Sequence, residues 1–256
     1  MIQLSIIRID DYGPWTHTLG FDREHKLQSL QSEIYSYLHH LFSKHNAIVF
    51  QNRGDEFFAI TNGMSDLDHI IIKTQLNDKF NLPFSITFDY SNTPLSTNLK
   101  IHKKHNLNIN SVRGNVYTNP SDVMIMHIDI DGVTHASKSK SPYEISSIVL
   151  SLHDKMSQFF LDYDSLTFFM GGDNYMVIST ADAINNIKLF LDYISRTMGI
   201  TLNCGIGHAN TARHAVELAT KSLDTLRDLR KNNMLHNRVL KLSSNTITKL
   251  IPEINT

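Results

Sequence analysis

The chain of 256 residues repeats itself, and the two copies are separated by a little less than half its length. Three pairs of segments carry the repeat: residues 7–13 with 126–132, 53–61 with 171–179, and 84–93 with 202–211. The first pair is offset by 119 residues and the other two by 118. Three matches at nearly one offset predict a tandem duplication of a unit of ordinary domain size.

The first copy has the alternating pattern of an α+β domain. An apolar strand at 4–10 precedes a helix whose apolar residues recur at three- and four-residue spacing, which is typical of an amphipathic helix. The remaining predicted elements are hairpin strands at 47–51 and 57–61, a helix at 66–80, a strand at 84–90 and a helix from 93 to 105. This order, βαββαβ with a trailing helix, predicts a ferredoxin-like fold.

The second copy repeats this order and sets the expected domain boundaries. Its predicted strands cover 124–129, 166–170, 175–179 and 201–207, and its last two helices cover 181–198 and 211–229. Residues 106–121 are polar and contain Gly114 and Pro120, which is typical of a linker. The sequence therefore predicts an α+β chain of two tandem ferredoxin-like domains, at 1–108 and 122–256, joined by a linker at 109–121.

Composition excludes several classes of function. The chain has 24 Lys and Arg against 25 Asp and Glu, so it lacks the basic surplus that a nucleic-acid-coating protein needs. Its single cysteine, Cys204, excludes an internal disulfide and any metal site that needs two thiolates from one chain. No apolar run is long enough to span a bilayer, and the first residues do not read as a signal peptide. We therefore expect a cytoplasmic protein with no membrane partner.

Acidic residues recur at corresponding places in the two copies. Asp10 and Asp129 end the first strand of each copy, and Asp55 and Asp173 lie at the hairpin tips. In a ferredoxin-like sheet the first strand lies beside the hairpin, so each pair of carboxylates is expected within reach of one Mg²⁺ ion. Asp is also a common turn residue, and a purely structural role stays open.

Other residues near these acids are candidates for binding a substrate. Gly54, Gly171 and Gly172 remove side chains beside the acids, so a phosphate can approach the backbone there. Trp15 offers a face for stacking on a base, or anchors its loop against a helix. Arg53 offers a bidentate phosphate contact, or is a solvated hairpin residue.

Three further side chains are expected to have no part in binding. His127 lies on the same strand as Asp129, and it is expected to face the core or a helix rather than to act as a base. Arg227 and Arg230 end the last predicted helix and are expected to be solvated, in the place where a helix dipole favours cations.

A family resemblance becomes specific at the second hairpin tip. The segment Met170–Tyr175 reads Met-Gly-Gly-Asp-Asn-Tyr, preceded by His127–Asp131 and followed by Cys204–Gly207. This order of landmarks resembles palm-type nucleotidyl cyclases, including diguanylate cyclases of the GGDEF type. Together with the two copies and the opening segment Ile9–Trp15, it is more similar to the archaeal GTP cyclohydrolase III family, and this similarity covers nearly the whole chain.

The resemblance implies an enzyme that acts on GTP with Mg²⁺ as its cofactor. Members of that family are hydrolases of cyclic amidines that open the guanine imidazole ring at C8. They retain the formyl group, release phosphate and yield 2-amino-5-formylamino-6-(5-phosphoribosylamino)pyrimidin-4(3H)-one, which is thought to feed riboflavin and deazaflavin synthesis. The resemblance also implies a homo-oligomer, either a dimer or a tetramer.

Residue by residue, the resemblance makes Asp129 and Asp173 the metal-binding acids of the second copy, with Asp10 and Asp55 as their equivalents in the first. Asn174 stands where the cyclase motif has an acid, which fits the cyclohydrolases better. Which copy holds the triphosphate is left open. So are two other functions: a nucleotidyl cyclase, which would leave the purine ring intact, and a catalytically silent GTP sensor.

Overall fold

The computed structural model describes residues 1–105, 110–119, 121–131, 140–232, 237–244 and 246–250. The chain divides into two compact units. Unit 1 comprises Met1–Asn92 with Ser96–Ser121, and unit 2 comprises Thr93–Leu95 with Asp122–Thr256. Part of the predicted linker (109 and 120) and Gly132 of the repeated motif lie outside the described residues.

The first half of the chain forms a five-stranded sheet with the strand order β2-β3-β1-β4-β5. Its elements, in chain order, are β1 Ile2–Ile9, α1 Tyr12–His17, α2 Arg23–Ser43, β2 Ile48–Arg53, β3 Glu56–Ile60, α3 Asp66–Phe80, β4 Phe84–Ser91, α4 Pro94–His105 and β5 Val112–Gly114. β1 is antiparallel to both of its neighbours, β3 and β4. The end of the central strand therefore lies beside the hairpin tip, where the Ile9 amide donates to the Asp55 carbonyl at 2.9 Å.

Unit 2 has a six-stranded sheet with the strand order β11-β10-β9-β6-β8-β7. Its elements are β6 Val123–Ile130, α5 Pro142–Leu161, β7 Leu166–Gly171, β8 Asn174–Ile178, α6 Ala181–Asn185, α7 Ile187–Met198, β9 Leu202–Ala209, α8 Ala212–Lys231, β10 Val239–Ser243 and β11 Thr246–Leu250. The central strand β6 is antiparallel to β8 and β9, as β1 is to β3 and β4 in unit 1. The two units therefore share one topology around their central strands.

This architecture confirms the predicted α+β class and the ferredoxin-like order of both copies. Residues 112–114, within the predicted linker, form β5 and pair parallel to β4. The helix predicted at 181–198 is divided at Asn186, whose backbone leaves the helical region. Unit 2 also gains β10 and β11, which were not predicted. In the described part of the chain, no helix is long and apolar enough to cross a membrane.

Helices cover both faces of the unit 2 sheet. On one face, α5 and α7 bury residues such as Phe160 and Phe190 against the central strands. On the other face α8 packs so closely that a Cβ atom on Gly207 would lie 1.9 Å from the Ala215 carbonyl oxygen. This close packing brings the last turns of α8 to the end of β6, where the strand-end acids lie.

Candidate active site

The tip of the β7–β8 hairpin lies beside the end of β6 in unit 2. Asp129 is directly opposite Asn174 in the antiparallel ladder. Gly171 and Gly172 form the turn with φ angles of 98° and 63°, in the left-handed region that favours glycine. Nothing lies within 4 Å of where a Cβ atom on Gly171 would be. The turn is therefore open beside the acidic end of the strand.

Asp129 is buried, and its two carboxylate oxygens differ in their surroundings. Its Oδ2 accepts hydrogen bonds from Nη2 of Arg227 at 2.6 Å and from Nε of the same guanidinium at 3.2 Å. Its Oδ1 is buried with no hydrogen-bond partner among the described residues. A buried carboxylate oxygen without a partner is costly, and a cation is a suitable occupant beside it.

A second ionic cluster lies next to Asp129. Arg230 and Arg238 both donate to Oδ2 of Asp131, the latter at 2.5 Å, and both also contact Oδ1 of Asn203. Partial burial acts to raise the pKa of Asp131, but the two guanidinium groups outweigh it and hold that pKa below its ordinary value. Three arginines therefore converge on two acids at this end of the sheet.

Asp173 is linked to the strand by a chain of hydrogen bonds. Nδ2 of Asn174 donates to Oδ1 of Asp173 at 3.1 Å, and Oδ1 of Asn174 lies 3.1 Å from Nε2 of His127. Nδ1 of that histidine lies 3.2 Å from the Thr220 hydroxyl on α8. The prediction that His127 faces a helix is therefore confirmed. Burial lowers its pKa, although the Asn174 hydrogen bond and the Asp129 charge oppose this shift.

Unit 1 has a different arrangement at the same place. Arg8 donates to Oε2 of Glu56 through Nη2 at 2.5 Å and through Nε at 3.1 Å, and Asn52 donates to Oε1 at 2.8 Å. Burial acts to raise the pKa of Glu56, but the bonds from Arg8 and Asn52 and the nearby guanidinium charges lower it overall. This buried acid is therefore already neutralised by the protein.

The predicted acids of unit 1 also have hydrogen-bonding or ionic partners within the protein. Oδ2 of Asp10 accepts from the Ser85 hydroxyl and from the Asn110 amide, both at 2.6 Å. Asp55 pairs with Arg53 at the hairpin tip, with 3.3 Å between Nε and Oδ1. Both of these side chains thus have partners within their own unit.

Strand register corrects the predicted equivalence of the acids. Asp129 is opposite Asn174 and Asn203, whereas Arg8 is opposite Glu56 and Ser85. The hairpins and later strands are offset by 118 residues, so Arg8 occupies the place of Asp129, at an offset of 121. Asp10 accordingly corresponds to Asp131, and not to Asp129 as predicted from the sequence. The sequence match had aligned the wrong acids because Asp recurs two residues apart along one strand face.

Trp15 and Gly54 belong to one packed group in unit 1. The Trp15 ring lies 5.9 Å from that of Tyr12 and packs on the unit 1 core. The Tyr12 hydroxyl accepts from Nε2 of Gln31 at 2.6 Å, and a Cβ atom on Gly54 would lie 2.3 Å from the same nitrogen. Gln31 therefore covers the tip of unit 1, whereas the tip of unit 2 is open.

Sequence reasoning missed the basic half of the unit 2 site. Arg227 and Arg230 were expected to be solvated, but they pair with Asp129 and Asp131. Arg238 was not singled out. Two arginines one helical turn apart match two acids that share one strand face. This match can be recognised only once α8 is known to pack beside β6.

No group of three or more His, Cys, Asp or Glu side chains within the described ranges is arranged to hold a metal ion. Mg²⁺ does not require such a group, because it commonly binds one or two protein carboxylates and completes its shell with water and phosphate oxygens. Asp129, with its unpartnered Oδ1, and the neighbouring tip residue Asp173 are a donor set of that kind.

The chain matches the family model for GTP cyclohydrolase III over residues 3–239. It is 33% identical over 245 residues to the GTP cyclohydrolase III of Methanosphaera stadtmanae, covering 89% of this chain and 93% of that protein. It is 31% identical to that of Methanocaldococcus jannaschii, covering 89% and 88% of the two chains. A bacterial light-regulated adenylyl cyclase is a distant structural neighbour, with 14% identity, coverage of 94% and 85%, and a TM-score of 0.39. The chain belongs to the GTP cyclohydrolase III family.

Proposed function

We propose that this protein is a GTP cyclohydrolase that opens the imidazole ring of guanine and stops at the formamide. The observation that carries the proposal is the family match over residues 3–239. Water adds to C8, the C8–N9 bond breaks, N9 takes a proton and C8 stays on N7 as a formyl group. Hydrolysis of the phosphoanhydride bonds releases phosphate and leaves the 5-formylamino-pyrimidine ribonucleoside monophosphate.

We assign the metal-binding acids of this reaction to unit 2. Asp129 and Asp173 would hold Mg²⁺, and the unpartnered Oδ1 of Asp129 supports this choice. When bound, Mg²⁺ neutralises phosphate oxygens and lowers the pKa of a coordinated water. Addition of a chelator is therefore expected to stop turnover, and added Mg²⁺ to restore it.

The arginine cluster supports a triphosphate site in the same unit. Arg227, Arg230 and Arg238 carry three positive charges, and guanidinium groups bind phosphate oxygens through paired hydrogen bonds. Asp131 keeps two of them at one place, so their position does not depend on the substrate. A guanidinium has more N–H donors than these contacts use, so the arginines would bind phosphate oxygens and orient the nucleotide while they keep their contacts with the two acids.

Two features of unit 1 argue against an equivalent site there. Glu56 is paired with Arg8, so an internal cation takes the place that a metal ion would fill. Gln31 covers Gly54 at the hairpin tip, whereas a Cβ atom on Gly172, at the same place in unit 2, would lie 3.8 Å from its nearest neighbour, Nδ2 of Asn174. We therefore infer one catalytic centre per chain, in unit 2.

The reaction is tested by incubating GTP with the purified protein and Mg²⁺ and recording the ultraviolet spectrum, with phosphate, pyrophosphate and formate assayed in parallel. The proposal predicts loss of the guanine band with phosphate release and no formate. An unchanged band with release of pyrophosphate would indicate a nucleotidyl cyclase. Tight GTP binding with no change of any kind would indicate a silent sensor.

A further inference from the structure

Asn174, whose side chain contacts the tip acid Asp173 of unit 2, has a second hydrogen-bond contact on its other side. Asn174 follows Asp173 in the chain and donates to its carboxylate, while His127 and Thr220 continue the contacts toward α8. These four side chains come from the hairpin, the central strand and a helix of one unit. This chain of hydrogen bonds therefore connects Asp173 to the central strand β6 and to α8.

Only one arrangement of hydrogens satisfies every contact in this chain while the imidazole is neutral. Nδ2 of Asn174 is the donor to Asp173, so its Oδ1 faces the histidine, and an amide oxygen only accepts. His127 must then carry its hydrogen on Nε2, which leaves Nδ1 as an acceptor. The Thr220 hydroxyl supplies the hydrogen that Nδ1 needs.

We propose that His127 and Thr220 are positioning residues that fix the orientation of the Asn174 amide and, through it, of the Asp173 carboxylate. Without the histidine, Oδ1 of Asn174 loses its hydrogen-bond donor, so the amide is no longer held from both sides beside the carboxylate. A hydrogen-bond partner of this kind behind a metal-binding group commonly affects metal affinity or activity by about 10- to 100-fold. The catalytic consequence rests on the proposed function, whereas the hydrogen-bond geometry does not.

The repeat provides an internal comparison. In unit 1 the residue in the place of His127 is Ile6, because Ile6 is opposite Phe58 and His127 is opposite Met176. The place of Asn174 is taken by Glu56, which is held by Arg8. Among the described residues of unit 1, this place therefore has neither the positioning chain nor an unpartnered carboxylate oxygen like Oδ1 of Asp129.

The first test measures the tautomer of His127 directly. Two-bond ¹H–¹⁵N correlation spectra of ¹⁵N-histidine-labelled protein should show a hydrogen on Nε2 of the His127 ring, with the signal assigned by its loss in His127→Gln. A ring whose only hydrogen is on Nδ1 would overturn the proposed chain. This result does not depend on any enzymatic activity.

The second test compares Thr220→Val with Thr220→Ser and His127→Phe. Mn²⁺ serves as the metal probe, and its binding to nucleotide-free protein is followed by the loss of the free-ion electron paramagnetic resonance signal. Thr220→Val and His127→Phe are expected to weaken Mn²⁺ binding and to raise the Mg²⁺ concentration for half-maximal ring opening, by about tenfold or more. Thr220→Ser keeps the hydroxyl and should stay within about twofold of the natural protein.

His208→Gln is a matched control, because His208 is opposite Met124, at the other end of β6 from Asp129, and pairs with Asp122. It should leave both readings unchanged. If Thr220→Val and His127→Phe fold, as judged by circular dichroism, and keep natural metal binding and Mg²⁺ dependence, the positioning role is wrong. If the natural protein opens no guanine ring, the proposed function fails, and the tautomer and Mn²⁺ results still test the positioning chain.

Discussion

The pair Arg8 and Glu56 gives unit 1 an internal cation where unit 2 has an acid. The Glu56 side chain is 9% exposed and that of Arg8 is 29% exposed, so the carboxylate is largely removed from water while its partner is partly solvated. Asp129, in the corresponding register position, is paired on one oxygen only. A difference of two side chains between the copies thus changes a self-neutralised site into one with a vacant acceptor.

This pairing predicts the effect of breaking the ion pair. Arg8→Met is expected to lower the free energy of unfolding by about 3 kcal/mol, because it leaves the Glu56 charge buried with weaker compensation. The double variant Arg8→Met with Glu56→Leu should recover most of that loss. Urea unfolding curves measure both, and equal losses in the single and double variants would contradict the ion-pair explanation.

His69 predicts a dependence of stability on pH. It is fully buried, contacts the Ser65 carbonyl through Nδ1 at 2.7 Å and the Ser5 hydroxyl through Nε2 at 2.9 Å, and burial lowers its pKa, against the opposing charges of Asp68 and Asp66. Its folded pKa is below the unfolded value of about 6.5. The stability that the neutral, buried imidazole contributes to the fold is therefore complete above that pH, and it is lost as the pH falls through the folded pKa.

The melting temperature should accordingly fall below about pH 6.5. His69→Phe, which retains an aromatic ring beside Phe88, should make this fall shallower although it lowers stability at neutral pH. Melting curves between neutral and mildly acidic pH measure the slope. An unchanged slope in the variant would assign the effect to other groups.

At the residue scale, the sequence predicts acids better than their partners. The Gly-Gly-Asp-Asn segment and the strand before it predict that Asp129 lies beside the hairpin tip, and the register places it opposite Asn174, because turn chemistry and strand ends are local properties. Arg227 lies 98 residues from Asp129 in the chain, so their pairing depends on where α8 packs. Partners of this kind require the topology before they can be named.

The packing of α8 on β9 depends on two glycines of that strand, Gly205 and Gly207. A Cβ atom on Gly207 would lie 1.9 Å from the Ala215 carbonyl oxygen and 2.5 Å from the Ala219 amide nitrogen, both of which are backbone atoms. A helix backbone cannot yield locally without moving the helix. The same movement would displace Arg227, which α8 carries to the end of β6.

Gly207→Ala is therefore expected to destabilise the protein by about 3 kcal/mol and to lower the rate of GTP ring opening in the protein that still folds. Gly13→Ala is the matched control, since nothing lies within 4 Å of its Cβ position. Thermal unfolding and the ultraviolet assay measure the two effects. Normal stability of Gly207→Ala would contradict the close packing.

At the element scale, long periodic segments are the most predictable. The helix predicted at 66–80 and the hairpin strands agree with α3, β2 and β3 to within two residues, because the apolar pattern alone defines them. β5 and β10 were missed because they pair parallel to β4 and β9, strands that lie far away in sequence. β10 also forms an antiparallel hairpin with β11, which was missed as well.

The whole molecule is a duplication in which the two units have kept their topology and diverged at the site. Exposed apolar side chains on α3 are a further feature of the intact chain: Leu67 is 62% exposed, Ile70 47% and Ile71 45%. Leu189, at the place of Ile71 in the second copy, is 60% exposed on α7. Such groups commonly mark an interface between proteins.

We expect a homo-oligomer, as the family resemblance implies, with these exposed side chains in the interface between copies of the chain. Sedimentation equilibrium should give a mass that is a multiple of one chain, and Ile70→Glu with Ile71→Glu should shift it toward the monomer. Ser32→Glu, on an exposed position of α2, is a charge control that should leave the mass unchanged. A natural protein that sediments as a single chain would contradict this prediction.

The proposed location of the catalytic centre in unit 2 is tested most directly by the ultraviolet assay on two variants, one in each unit. Asp129→Asn and Asp10→Asn each replace a buried strand-end acid with its amide, one in each unit. With both folds verified by melting curves, Asp129→Asn should lose ring opening by at least about 100-fold, since it loses a carboxylate that the metal needs, while Asp10→Asn should retain most of its activity. Near-normal loss of the guanine band with Asp129→Asn, together with its absence with Asp10→Asn, would place the reaction in unit 1 instead.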